Sequence, residues 1–209
     1  MEVNPSHTTE SLSFPLPMYS SVCIGEATSK EGIRFFIFAG LNAELAAELK
    51  TLSLDPNDTA LQNNTSDRER FGIGSYETWY AKDRTPFALV DAETNSLAAL
   101  TWFGPKPLGE KPQKSPPPKS VGKSTEHLKE NWHTISYRCY PRFRGKGLMK
   151  GFVGFVMDMY MKNFPKIKLW AGVKPENMAS AGALALSLGF QLSEKASDKN
   201  AGWLVMVKE

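Results

Sequence analysis

The fold is decided by the stretch Ser136-Tyr137-Arg138-Cys139-Tyr140-Pro141-Arg142-Phe143-Arg144-Gly145-Lys146-Gly147-Leu148. Its first half is typical of a β-strand, and an apolar helix begins after Gly147. Two glycines and three basic side chains therefore lie where a helix begins. A helix N-terminus offers unpaired N–H groups and the positive end of the helix dipole. Because glycine also lets a ligand approach the backbone closely, the stretch predicts a phosphate-binding turn.

The composition is that of an ordinary soluble globular protein. The 209 residues suffice for one domain or two small ones, and a net charge of +3 is spread over interspersed acids and bases. This arrangement does not indicate a nucleic-acid-binding surface. Cys23 and Cys139 lie far apart, and the 3 histidines form no ligand cluster with them. The sequence therefore predicts neither a disulfide framework nor a metal site.

The N-terminal segment and the hydropathy pattern bear on location and domain organisation. The first residues lack the basic and apolar regions of a signal peptide, and no apolar run reaches membrane-spanning length. We therefore expect a cytoplasmic protein that binds no membrane. Residues 1–20 are proline-containing and aperiodic, which predicts an N-terminal tail without regular structure. Residues 21–209 predict a single domain with a Pro/Lys-rich insertion at about 105–128.

The periodicity of the chain predicts mixed strands and helices. The first half predicts a strand over Arg34–Ala39, a helix capped by Asn42, a loop over 53–66, a weaker helix over 67–82, and a hairpin of strands over 87–90 and 96–102. The second half predicts strands over 133–140, 167–173, 190–192 and 203–207, and helices after Gly147 and over 175–188. The helix after Gly147 has a wide apolar surface, which indicates burial against a sheet, and leaves Lys150, Asp158 and Lys162 for its exposed face. The fold class is α+β, or mixed α/β.

These residues resemble the GNAT superfamily of N-acetyltransferases. The acetyl-coenzyme A (acetyl-CoA) signature of that superfamily is Gln or Arg, two residues, Gly, one residue, then Gly or Ala, and it reads here Arg142-Phe143-Arg144-Gly145-Lys146-Gly147. A second similarity is Val173-Lys174-Pro175-Glu176-Asn177, followed by Leu188-Gly189-Phe190. Thr85–Asp91 also resembles the second strand of the family. The resemblance covers residue 32 to the C-terminus and implies a central, mixed and mostly antiparallel sheet flanked by helices.

The resemblance implies an acetyl-CoA-dependent N-acetyltransferase that needs no metal. In such enzymes the turn holds the CoA pyrophosphate, the preceding strand pairs with the pantetheine arm, and an amide at the position of Cys139 polarises the thioester carbonyl. The implied acetyl-CoA-binding residues are Tyr137, Arg138, Cys139, Arg142, Phe143, Arg144, Gly145, Lys146, Gly147, Leu148 and Asn177. The implied partner is an amine acceptor, either a small molecule or a peptide, and the expected state is a monomer or a homodimer. Cys139 is expected to contribute its amide rather than its thiol.

The groups that transfer protons are less well marked. Glu130, His133 and Tyr137 are the catalytic candidates, since each can exchange a proton near the motif strand. Many family members carry a tyrosine midway along the last motif helix that protonates the leaving thiolate, but Leu184 and Ala185 occupy that neighbourhood here. Three interpretations follow: an N-acetyltransferase, a non-catalytic acyl-CoA-binding module, or a nucleotide-binding protein. The third is disfavoured because Lys146 is not placed as in a GxxxxGK[ST] loop.

Overall fold

A computed structural model describes residues 1–6, 12–111 and 131–209, which form nine strands and five α-helices. The strands are β1 Glu2–Pro5, β2 Val22–Thr28, β3 Arg34–Ala39, β4 Thr85–Asp91, β5 Leu97–Pro105, β6 Trp132–Cys139, β7 Lys168–Val173, β8 Gln191–Leu192 and β9 Leu204–Lys208. The helices are α1 Ala43–Leu54, α2 Thr59–Asn64, α3 Tyr76–Tyr80, α4 Met149–Asn163 and α5 Ala183–Ser187. β6 and β7 pair in parallel, whereas the other registered pairs are antiparallel. The predicted α+β class is confirmed.

The described chain divides into two compact units. The first comprises Met1–Gly104 and Ser136–Pro165, and the second comprises Pro105–Ile135 and Lys166–Glu209. Most of the predicted insertion lies outside the described residues, which include only 105–111 of it. The expectation of one domain over residues 21–209 stays a prediction. Among the described residues, no helix has the length and apolar character needed to cross a membrane.

The first unit is built around β4, whose seven residues are all buried. Neighbouring residues of β5 show how both faces of this sheet are covered, since successive side chains point to opposite faces. Trp102 meets Phe71 and Trp79 edge-on at 5.6 and 5.4 Å, on the side of the early helices. Phe103 stacks on Tyr160 of α4, with the ring centroids 4.4 Å apart. The sheet therefore carries an aromatic core on each side.

Helix α4 has the predicted amphipathic pattern. Phe152, Val153, Val156, Met159 and Tyr160 are buried. The three polar side chains that were assigned to the remaining face, Lys150, Asp158 and Lys162, are exposed. The wide apolar surface of this helix is thus confirmed as a packing surface.

The early helices differ in part from the prediction. Helix α1 begins as predicted, because Asn42 Oδ1 accepts a hydrogen bond of 2.9 Å from Leu45 N. The loop predicted over 53–66 is wrong, since it contains α2, whose N-cap Asp58 accepts from Leu61 N at 3.0 Å. The helix predicted over 67–82 is interrupted, because a π-helical turn at Arg68–Gly72 is followed by α3 with its own cap.

The N-terminal segment contains structure that its sequence did not indicate. β1 pairs with β2, and neither strand was predicted. Phe14 is buried with its ring edge-on to Phe87 at 5.3 Å, and Leu16 O accepts a 2.5 Å hydrogen bond from Tyr80 Oη. These partners lie far away in sequence, so a local pattern in the first 20 residues could not reveal them.

In the second unit the strand order is the first half of β6, up to Ile135, then β7, β9 and β8. The β6–β7 register covers Trp132 to Thr134 on one strand and Lys168 to Trp170 on the other. Trp170 is buried, and its indole Nε1 donates to Lys106 O at 3.0 Å. The helix predicted over 175–188 is a succession of three short pieces: a 3₁₀ turn, a π-helical turn and α5. Gly189 ends it as predicted, in the left-handed region at φ 84°.

Within the first unit, a buried charge cluster holds the last residues of β6. The Arg138 guanidinium lies 4.1 Å from the ring centroid of Trp102 and forms an ion pair with the fully buried Asp67. Arg70 pairs with the same carboxylate at 2.8 Å. Burial lowers the pKa of Arg138 to about 10, so it stays charged at neutral pH. Strand β6 is therefore fixed to β5 and to the segment before α3 by its Arg138 side chain.

Asp67→Asn is expected to lower the free energy of unfolding by about 3–5 kcal/mol, because the buried Arg138 and the half-buried Arg70 lose their shared counter-charge. Arg34→Gln is the matched control, since its ion pair with Glu26 is exposed on both sides and should contribute little. Urea denaturation measures both effects. Equal shifts in the two variants would contradict a structural role for the buried cluster.

Candidate functional site

The phosphate-binding turn predicted from the sequence joins β6 to α4. A 3₁₀ turn at Pro141–Phe143 follows β6, and α4 starts at Met149. Gly145 and Gly147 have φ of 77° and 67°, a left-handed conformation that favours glycine. A Cβ placed on either glycine would meet no atom within 4 Å. The backbone of the turn is therefore open to an approaching ligand.

The turn is held by buried contacts on both sides of its glycines. Tyr140 N donates to Ala98 O at 3.0 Å, which fixes the end of β6. The buried ring of Phe143 packs edge-on against Phe35 at 6.0 Å. Leu148, directly before α4, is also buried. The open segment is thus short and its two ends are rigidly placed.

The start of α4 carries the chemistry of an anion site. Leu148 occupies the N-cap position and makes no side-chain hydrogen bond, because its side chain has no polar atom. The first N–H groups of a helix have no intrahelical acceptor, and a helix of 15 residues presents a full dipole there. Open glycines and an uncapped helix start fit the phosphate groups of a nucleotide or of CoA.

Two of the basic side chains are available to such a ligand. Arg142 is exposed, and its guanidinium lies 5.4 Å from the Phe143 ring centroid. Lys146 Nζ lies 3.2 Å from Glu31 Oε2, with exposed side-chain fractions of 29% and 58%. Ion pairs in such exposed positions are weak, so an anionic ligand can compete for Lys146.

Arg144 is used differently from the other two basic residues. Its Nη2 lies 2.6 Å from Asp58 Oδ2, and its Nε donates to Cys139 O at 2.8 Å. The Asp58 side chain is only 2% exposed, so its buried carboxylate binds the guanidinium of the more exposed Arg144, at 36%. The structure therefore gives Arg144 internal partners, where the sequence suggested a free charge for phosphate.

The last residues of β6 alternate in the direction of their backbone groups. Tyr140 N–H points to β5, so the N–H and C=O of Cys139 point to the opposite edge of the strand. The contact of Cys139 O with Arg144 agrees with this direction. The registered pairing of β6 with β7 ends at Thr134 and does not reach Cys139. The amide of Cys139 therefore lies on an edge that β5 does not use.

The titratable side chains near this edge stay protonated. Burial raises the pKa of the Cys139 thiol to about 11, although Arg144 opposes the shift. Burial also raises the pKa of the Tyr137 phenol. At neutral pH the thiol is therefore a poor nucleophile, and the phenol can donate a proton but is a poor base.

The other predicted site residues lie in the second unit or outside the described residues. His133 is half-buried in β6, opposite Leu169 of β7. Asn177 ends a 3₁₀ turn, and its N–H donates to Lys174 O at 2.9 Å. Glu130 lies outside the described residues. The first unit thus brings together Tyr137, Arg138, Cys139 and residues 142–148, but not His133 or Asn177.

Sequence reasoning missed two contributors to the turn. Asp58 holds Arg144, and Ala98 accepts from Tyr140. The sequence could have indicated the cap, because Asp58 is a favoured N-cap residue three positions before Leu61. The contact of Asp58 with Arg144 spans 86 positions and leaves no local signal in the sequence. Within the described residues, no group of three or more His, Cys, Asp or Glu could hold a metal ion.

Comparison with known proteins gives matches among solved structures. No protein-family model and no curated protein matches the sequence. The chain is similar to the GNAT domain of S. lividans PAT, at 12% identity and a TM-score of 0.60, over 88% of this chain and 94% of that one. It is similar to Mycobacterium smegmatis RimJ in complex with CoA-disulfide, at 14% identity and a TM-score of 0.60, over 91% and 87% of the two chains.

A third similar structure is a chimera of the spermidine N-acetyltransferase SpeG from Vibrio cholerae and hSSAT. The identity is 15% and the TM-score 0.52, over 83% of this chain and 92% of that one. At these identities the likeness concerns the fold. It agrees with the succession of β6, glycine turn and α4, which was predicted from the sequence. The chain therefore has the fold of the GNAT acetyltransferases.

Proposed function

We propose that this protein is an N-acetyltransferase that transfers the acetyl group of acetyl-CoA to a primary amine. The observation that carries the proposal is the open, uncapped turn at Gly145 and Gly147. The backbone N–H groups of this turn would bind the pyrophosphate, with Arg142 and Lys146 supplying charge. Phe143 and Leu148 anchor the turn to the protein core, since both side chains are buried.

Acetyl-CoA supplies an activated acetyl thioester, and the end of β6 would orient it. The backbone of Tyr137 to Cys139 would pair with the pantetheine arm like an added strand. The Cys139 N–H would donate to the thioester oxygen and stabilise the negative charge that develops there when the amine attacks. Arg138 contributes through its backbone, because its side chain is paired with Asp67.

The reaction needs a base that removes a proton from the attacking amine. It is helped by an acid that protonates the thiolate as it leaves. Glu130 and His133 remain the proposed bases. Tyr137 is proposed as a proton donor and not as a base, because burial raises its pKa and the phenol stays protonated at neutral pH. Asn177 is proposed to orient the cofactor arm, by resemblance to the family.

The acceptor is proposed to be a small amine or a peptide amine. The spermidine N-acetyltransferase among the similar structures is named for an amine substrate, which supports this class. The protein is proposed to act as a monomer or homodimer. The cytoplasmic location stays a prediction, and the two free cysteines suit a reducing compartment.

A second candidate is a non-catalytic acyl-CoA-binding module. It is favoured by the last motif helix, where Leu184 and the fully buried Ala185 lie in place of a tyrosine. A thiol with an ordinary pKa is a tolerable leaving group without a proton donor, so this replacement does not remove the first candidate.

The two candidates differ in turnover. We expect the protein to release CoA thiol from acetyl-CoA when a polyamine, an amino acid or a peptide with a free N-terminus is added from a panel. Isothermal titration with CoA is the companion measurement. CoA binding without turnover on any amine would favour the module, and ATP binding without CoA binding would exclude both.

Gly145→Ala is expected to weaken CoA binding by at least about tenfold, because the new Cβ would occupy the space through which a phosphate approaches the backbone. Gly32→Ala is the matched control, since Gly32 also has positive φ, 81°, and open space around its Cβ. In both variants the free energy of unfolding should fall by a similar amount, about 1 kcal/mol. Unchanged CoA affinity in Gly145→Ala would count against a phosphate site here.

Cys139→Ala is expected to keep turnover within about threefold of the wild type, because the thiol is protonated at neutral pH and only the amide is used. The assay is release of CoA thiol at saturating acetyl-CoA, with Cys23→Ala as the control. Loss of turnover in Cys139→Ala with intact CoA binding would instead indicate a catalytic thiol.

A further inference from the structure

Arg144 joins two elements that are distant in the sequence. Its Nε donates to Cys139 O at the end of β6, at 2.8 Å. Its Nη2 lies 2.6 Å from Oδ2 of Asp58, the N-cap of α2. We call these three residues the Arg144 bridge. One planar guanidinium thus has two partners in fixed directions, a geometry that a lysine cannot reproduce.

The bridge is built around a buried carboxylate. Asp58 uses Oδ1 to accept from Leu61 N at 3.0 Å and Oδ2 to bind Arg144. The exposed fraction of the side chain is 2% for Asp58 and 36% for Arg144. A buried carboxylate that loses its partner is costly, so Arg144 is held in the bridge and is not free to follow a phosphate.

The bridge determines the direction of the Cys139 backbone. The Cys139 C=O is bound by Arg144, and the N–H of the same peptide unit, on Tyr140, is bound by Ala98 O. Since a peptide unit is planar, hydrogen bonds at both ends fix its orientation. The Cys139 N–H belongs to the preceding peptide unit, but in an extended strand the N–H and C=O of one residue point to the same edge, so a constraint on the C=O also restricts the direction of the N–H.

We propose that Arg144 is a positioning residue that aims the Cys139 N–H for acyl transfer, and that it does not bind the phosphates of CoA. The proposal rests on the proposed function for the role of the Cys139 amide. An oxyanion donor has to be placed within about 0.5 Å of its productive position. Cys139 is half-buried at the end of β6, so its N–H needs a further contact to be held that closely.

Arg144→Lys and Arg142→Gln separate positioning from phosphate binding. Arg144→Lys keeps the positive charge but loses the two-directional fork, so kcat is expected to fall about 10- to 100-fold while the Kd for CoA changes less than about threefold. Arg142→Gln is expected to weaken CoA binding several-fold, because it removes an exposed charge beside the turn. Lys199→Gln, in an exposed ion pair of the second unit, should change neither quantity.

A second readout does not depend on turnover. Selective ¹⁵N labelling of cysteine gives two backbone amide signals, because the chain has 2 cysteines. Arg144→Lys and Asp58→Asn are expected to shift the Cys139 signal and speed its exchange with solvent, and to leave the Cys23 signal unchanged. Arg142→Gln should leave both signals unchanged.

The outcomes distinguish this proposal from the proposed function. An unchanged Cys139 signal in Arg144→Lys would overturn the positioning role, whether or not the wild type is active. A loss of CoA affinity in Arg144→Lys as large as in Arg142→Gln, with kcat unchanged, would overturn it as well. A wild type that binds CoA without turnover, and whose Cys139 signal moves in Arg144→Lys, would support the bridge and contradict the enzyme.

Discussion

The short turn between β6 and α4 can stay open to a ligand because buried contacts hold the residues on both sides of it. Tyr140, Phe143 and Leu148 are each fixed by a buried contact, and Arg144 is fixed by a buried carboxylate. Leu148 provides no side-chain cap for α4, so the first N–H groups of this helix can donate to water or to a ligand. Every proposed step of ligand binding depends on this arrangement, because donors are useful only when their directions are set in advance.

The parts that could be predicted from sequence depend on local rules. Asn42 caps α1 and Gly189 ends the last motif helix, since capping and left-handed geometry involve only neighbouring residues. The buried rows of α4 followed from helical periodicity. The positive φ of Gly145 and Gly147 agrees with the turn that the signature suggested.

The parts that could not be predicted depend on contacts between distant segments. Helix α2 is short and polar and buries Leu61 alone among its six residues, so no periodicity marks it. The pairing of Arg138 with Asp67 and of Arg144 with Asp58 arises only when β6 meets the early helices. The sequence therefore indicated where positive charges lie, but not which of them the protein uses internally.

The open turn also has a consequence for how damaging variants would behave in a cell. A Cβ added to Gly145 or Gly147 would meet no atom within 4 Å beyond its chain neighbours, so a small side chain there displaces no packed group. Quality control acts on unfolded protein, and its burden rises with the fraction unfolded. Variants of the turn, which lose less stability, would thus remain folded to a larger extent while lacking the proposed ligand site, whereas variants of the buried charge pairs would be degraded more.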